Sequence, residues 1–184
     1  MPSPRPPCRS LWPRSPTTSA CRQLDAARRD PLSGLPGRPD LSAFTDRMLN
    51  TRRRADLHLM LLDANGFKAV NDTYGHAAGD AVIRTMGQRL ARWTSGRQAV
   101  AAQLGGDEFA VAAVLPSSSD LADIAALRDQ LQQPLHHDGL TLQIDVSLGI
   151  ARADDLPGET TDRILRAADA AMYKVKTGDR RSRT

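Results

Sequence analysis

Two apolar runs, Ala99–Leu104 and Phe109–Leu115, flank the sequence Gly105-Gly106-Asp107-Glu108. No other feature constrains the fold as tightly, because paired apolar runs of strand length around two glycines signal a β-hairpin. The turn itself is chemically loaded. Glycines allow positive φ and leave the backbone open to close approach by a ligand, and two carboxylates follow at once. Like charges in so tight a turn repel one another unless a cation sits with them. Taken alone, the segment also reads as a solvated hairpin tip, since Gly, Asp and Glu are ordinary turn residues.

Other elements follow from periodicity. Asp40 is a candidate N-cap for a helix running to about Arg53, with Leu41, Phe44 and Met48 on one face. Leu57 to Leu62 reads as a short buried strand with Asp63 at its C-terminal end. Residues 64–75 read as a polar loop with a short helical piece in which Phe67, Val70 and Tyr74 fall at helical spacing. Asp80 starts a helix whose stripe is Val82, Ile83, Met86, Leu90 and Trp93. Asp120 caps another, carrying Leu121, Ile124, Leu127 and Leu131. After the Asp138-Gly139 turn, Leu140, Leu142, Ile144, Val146, Leu148 and Ile150 alternate without a break, predicting one half-buried strand. A last helix spans about Thr161 to Lys176, with Ile164, Leu165, Ala168, Met172 and Val175 as its stripe. The sum is an α/β (α+β) fold: helices packed on a mixed, largely antiparallel sheet.

Composition narrows the function. Hydrophobic residues make up 40% of the 184 and aromatics only 4%, so the core is aliphatic. The formal charge is +4, but residues 1–38 hold seven Arg against two Asp, and the rest is near neutral at −1. A nucleic-acid binder carries its basic patch on the fold itself more often than on a terminal segment, so no nucleic-acid partner is expected. Residues 1–29, rich in Pro, Ser, Thr and Arg, read as a disordered leader or linker remnant, although Leu24 to Arg29 could begin a helix. Residues 30–184 form the domain. The two cysteines, Cys8 and Cys21, both fall in the leader, so the core needs no disulfide, which fits a reducing cytoplasm. No apolar run has the length of a membrane span.

Asp63 adds the second half of a site. An aspartate ending a buried strand is placed like a metal-binding carboxylate, with a turn cap as the plain alternative. If the sheet sets Asp63 beside the Asp107 hairpin, the carboxylates converge. Convergent Asp and Glu without His or Cys suit magnesium better than zinc, and magnesium shares its carboxylates with phosphates. Phosphoryl transfer uses that arrangement to neutralise charge and orient a hydroxyl. His76 reads as a structural hydrogen-bonding residue, and the adjacent His136 and His137 as exposed, for want of a third ligand.

The run from Asp63 through Phe67, Lys68, Asn71, Asp72, Gly75, His76 and Gly79 to Asp80 resembles the long signature of GGDEF-domain diguanylate cyclases. Gly105 to Phe109 is the pentapeptide that names that family. Arg29 to Pro36 resembles its opening motif, and Ala168 to Lys176 its closing helix, so the motifs stand in family order. The resemblance implies a palm-like, nucleotide-cyclase-like sheet. It implies that two GTP molecules are condensed into cyclic di-GMP and pyrophosphate, with magnesium (or manganese in its place), by a homodimer in which each domain holds one GTP. Asp63, Asp107 and the Ala64 carbonyl would hold the metal. Asp107 would also accept the 3′-hydroxyl proton, with Glu108 assisting, and Lys68 would stabilise the transferring phosphate. Asn71 and Asp80 would read the guanine edge, while Lys176 and Arg180, four residues apart, would clamp the terminal phosphates. Phe67, Gly105 and Gly106 complete the substrate-binding set.

The pattern departs from the family in places. Gln103 stands where an Arg is frequent, which puts the orientation of the site in question. Gly96 and Ala99 replace the Arg-x-x-Asp of product-inhibited members, so inhibition by that route is not expected. Gly37 and Pro39 depart from the opening motif, and Thr177-Gly178-Asp179 precedes Arg180 where a glycine is usual. The short segment before the domain predicts a dimer that is weak, or made by the domain itself or a partner. The alternative function is a catalytically weak, GTP-binding regulatory module of the same family.

Overall fold

The computed structural model describes residues 29–116, 120–156, 158 and 160–182, with backbone alone at 175 and 177–182. The leader, apart from Arg29, and the side chains of Val175 and Arg180 therefore lie outside the described residues.

Helix α1 spans Arg38–Leu49. It begins two residues before the expected cap, with extended Gly37 as N-cap and a proline in the first turn. Proline's fixed φ suits that turn, where no intrahelical N–H bond is lost, and Asp40 falls inside it, facing the positive end of the helix dipole. The helix stops at Leu49, short of Arg53, and a 3-10 turn at Arg54–Asp56 leads into the sheet.

Strand β1 covers Leu57–Asn65 and so runs three residues past its apolar stretch. It pairs with β3 (Glu108–Val114) on one side and β6 (Asp145–Arg152) on the other. Pairing with both neighbours holds Asp63 extended, and pairing with β6 alone holds Asn65, despite their poor strand propensity. Strand β2 (Ala99–Gly105) completes the hairpin with β3 and the order β2-β3-β1-β6, antiparallel throughout. The alternating run after Asp138 is not one strand. Its first part, β5 (Leu140–Leu142), pairs with β4 (Leu135–His137) in a separate two-stranded sheet, and β6 starts only at Asp145. A period of two is blind to a change of partner strand, and along this run Leu140 is exposed while Leu148 and Ile150 are half-buried.

Helices cover both faces. Between β1 and β2 lie α2 (Phe67–Tyr74) and α3 (His76–Thr94), the latter starting four residues before Asp80. Its stripe of Val82, Ile83, Met86, Leu90 and Trp93 is buried on Met60, Leu62, Phe109 and Val111. Helix α4 (Asp120–Leu131) adds Ile124, Leu127 and Leu131 to that core, but Leu121, expected on the same stripe, is 79% exposed. Its end is held by Arg89 of α3, which donates to the carbonyls of Leu131, Gln133 and Pro134 at 2.9, 2.6 and 2.9 Å. Burial, and then the charge of Arg92, push the Arg89 guanidinium below its ordinary pKa.

The opposite face belongs to α1 and α5 (Thr161–Ser182), packed over Leu57, Leu59, Leu61 and alanines 102, 110 and 112. Six residues longer than expected, α5 lies so close on β6 that a Cβ at Gly149 would overlap the Ala168 carbonyl and the Met172 backbone. That approach sets where Lys176, one turn beyond Met172, can reach.

Candidate active site

At the C-terminal end of β1 a cleft of about 370 Å3 opens between the hairpin tip, the start of α2, β6 and α5. Asp63 enters it from the central strand, opposite Glu108 on β3 and Ser147 on β6. Asp107 enters from the hairpin turn, where the Ala64 N–H donates to the Asp107 carbonyl at 3.3 Å. The expected convergence of Asp63 and Asp107 on one cleft is thus present, with Ala64 between them.

Two ammonium-bearing residues line the same space. Lys68 stands in the first turn of α2 with Phe67, after Gly66, so the N–H groups of a helix start accompany its charge. Lys176 reaches in from α5, its Nζ 2.8 Å from Asp63 Oδ2, with 29% of its side chain exposed against 16% for Asp63. Arg180 lies in the same helix beyond it, but its side chain is outside the described residues.

Some expected residues lie elsewhere. Glu108, directly across from Asp63 in the ladder, lines a neighbouring hollow of about 530 Å3 with Arg38, Asp162, Arg166 and Asp169. Gly105 and Gly106 shape the turn without lining the cleft. Asn71 on α2 and Asp80 on α3 do not line the cleft. The Asn71 side-chain amide packs against Gly79, where a Cβ would collide with its Oδ1, and Asp80 is the next residue, exposed.

Sequence reading missed the cleft's polar floor. Asn65 donates to Asp145 Oδ2 at 3.1 Å and accepts from the Ser147 hydroxyl at 2.9 Å, and Gln132 donates to Asp145 Oδ1 at 3.2 Å. The signal was present: Asp145 and Ser147 occupy the non-apolar slots of the alternating run. Gln103 also acquires a task. Its Nε2 donates to the Gly106 carbonyl at 2.6 Å, bracing a turn in which Gly106 has φ 51° and the β2–β3 register shifts.

The donor set fits a magnesium ion shared with phosphates. Its side-chain donors are carboxylates, and among the described residues no group of three or more His, Cys, Asp or Glu could hold an ion by itself. Magnesium takes one or two protein carboxylates and completes its shell with water and substrate oxygens.

Comparison with known proteins gives the family. The family described as "Diguanylate cyclase, GGDEF domain" matches residues 27–182. The chain belongs to the GGDEF diguanylate cyclase domain family. It is 42% identical to an uncharacterized 19.3 kDa protein from the repSA 5′ region of Streptomyces ambofaciens, over 87% of this chain and 84% of the relative. It is 38% identical to the diguanylate cyclase DgcZ of Escherichia coli K12, over 80% of this chain but only 49% of DgcZ, about half its length. A sensory box/GGDEF family protein from Caulobacter crescentus CB15 superposes with a TM-score of 0.69 at 34% identity, covering 82% of this chain and 99% of that one. The antiparallel sheet flanked by helices is therefore the fold of GGDEF domains.

Proposed function

We propose that this chain is an active, magnesium-dependent diguanylate cyclase working as a pair of domains in the cytoplasm. The observation that carries the reading is the gathering of Asp63, Asp107, Lys68 and Lys176 around one cleft. One GTP binds in each domain. The 3′-hydroxyl oxygen of one attacks the α-phosphorus of the other; a 3′–5′ P–O bond forms and the bond to pyrophosphate breaks. The reciprocal attack closes the ring, so two GTP give one cyclic di-GMP and two pyrophosphates.

Bound by Asp63, Asp107 and the Ala64 carbonyl, magnesium (or manganese) would supply neutralising charge for the phosphates. Asp107 takes the proton from the attacking hydroxyl, and Glu108, its neighbour on the hairpin, supports it. Lys68 and the α2 N-terminus stabilise charge on the transferring phosphate, Lys176 and Arg180 hold the terminal phosphates, and Phe67 helps wall the nucleotide pocket beside the open Gly105-Gly106 backbone. Asn71 and Asp80 select guanine, because a carboxylate accepts from its N1–H and amino group, a pattern adenine lacks. With Gly96 and Ala99 at the positions discussed above, product does not inhibit through an Arg-x-x-Asp site.

The test is incubation of purified protein with GTP and magnesium, with chromatographic detection of cyclic di-GMP. Formation of product, abolished in Asp107→Ala, is the expected result. GTP binding without product at high protein concentration would replace this reading with that of a regulatory GTP-binding module.

A further inference from the structure

The 2.8 Å contact between Lys176 Nζ and Asp63 Oδ2 sets two cations on a collision course. Asp63 is a carboxylate that a divalent ion would use, and an ammonium already holds one of its oxygens. Asp63 has little freedom to serve both. It sits mid-sheet, paired with Glu108 and Ser147, and its side chain is mostly buried. Lys176 has that freedom: its flexible four-carbon stem lets the charge move while the helix stays seated on Gly149. Lys68 lines the same cleft without pairing with Asp63.

We infer that Lys176 is an internal counter-ion of Asp63 that a divalent cation must displace, so that metal and nucleotide bind cooperatively. The inference rests on the reading of the cleft as a metal–nucleotide site. Metal alone competes with a tethered ammonium and binds weakly. A triphosphate carries more negative charge than one carboxylate and draws Lys176 away, freeing Asp63 for the ion. The coupling is reciprocal, as all binding linkage is: the ion, by occupying Asp63, releases Lys176 for phosphate. Residues placed here for separate duties thereby enforce joint loading.

The experiment titrates Mn2+ into nucleotide-free protein and follows free Mn2+ by electron paramagnetic resonance. Wild type is compared with Lys176→Gln, Lys176→Arg and Lys68→Gln. Removal of a partly exposed ion pair should tighten nucleotide-free Mn2+ binding by about fivefold in Lys176→Gln. Lys68→Gln removes the same charge without an ion pair, and screening should keep its change below about twofold. Lys176→Arg, which keeps the charge, should bind as wild type does. A parallel titration uses 3′-deoxy-GTP, which lacks the attacking hydroxyl. Mn2+ should raise its affinity more in wild type than in Lys176→Gln.

Unchanged or weaker Mn2+ binding in Lys176→Gln would overturn the inference, as would an equal gain in Lys68→Gln, which would be a net-charge effect. Either result, with Mn2+ and 3′-deoxy-GTP both bound by wild type, leaves the proposed function standing. Failure of wild type to bind Mn2+ and 3′-deoxy-GTP would remove that reading and this inference together.

Discussion

Asp63 is a charged residue in a strand whose preceding inward positions are leucines. Its side chain is tolerated because the strand's last turns of pleat open on a cleft and an ammonium lies against it. A cation partner was implied by the residue types at the hairpin tip; that Lys176 supplies part of it was not, since nothing local links a helix near one end of the chain to a strand near its middle. Asn71 and Asp80 show the opposite balance. Their pairing is what the family resemblance implies, and the structure adds that the Asn71 amide packs against Gly79, the residue before Asp80. At this scale the guanine-reading role makes a sharp prediction. Asp80→Ala should weaken GTP binding about tenfold or more, as expected when a donor pair loses its acceptor, and leave ATP binding nearly unchanged. Fluorescence titration with both nucleotides measures the ratio, and an equal loss for both would remove the role.

Among the elements, the helices were the most legible and their ends the least. The stripe of α3 is five apolar residues at helical spacing, all of them buried, because one helix against one sheet face is a local pattern repeated. Where a helix begins depends on backbone partners: α1 starts at Arg38 because Gly37 and Pro39 suit its first turn, which outweighs the capping preference of Asp40. Arg89 illustrates a constraint that no pattern announces. It closes the end of α4 by donating to three carbonyls from a helix far away in sequence. The contact between α5 and β6 is the element-level feature that matters most for the site. Gly149→Ala should push α5 off the sheet, because the new methyl meets backbone rather than a movable side chain. Overpacking of this kind costs about 3 kcal/mol, read as a lower midpoint in urea denaturation. Moving α5 also moves Lys176, so the variant's phosphate affinity should fall even where it remains folded.

As a whole molecule, the domain is a four-stranded sheet with a helical layer on each face and a small two-stranded sheet beside it, and its cleft lies at one end of β1. No helix among the described residues is long and apolar enough to cross a membrane. The proposed reaction joins two nucleotides, one from each domain's cleft, so on that proposal two chains must meet for turnover. The specific activity should therefore rise roughly in proportion to protein concentration while the pair is mostly dissociated, as mass action requires. Initial rates of cyclic di-GMP formation over a wide dilution series check this; constant specific activity across the series would show a pair that does not dissociate under the assay.

The sequence by itself determined the main helices and their order, the hairpin with its two carboxylates, and the carboxylate at the end of β1. Those properties depend on period, turn chemistry and side-chain type, all of which are local. Only the tertiary structure decided that the run from Leu140 to Ile150 divides between two sheets, and that β1 lies between β3 and β6. It alone set Lys176 against Asp63, because strand order and helix seating arise from burying two apolar faces at once, and that burial joins residues far apart in the chain.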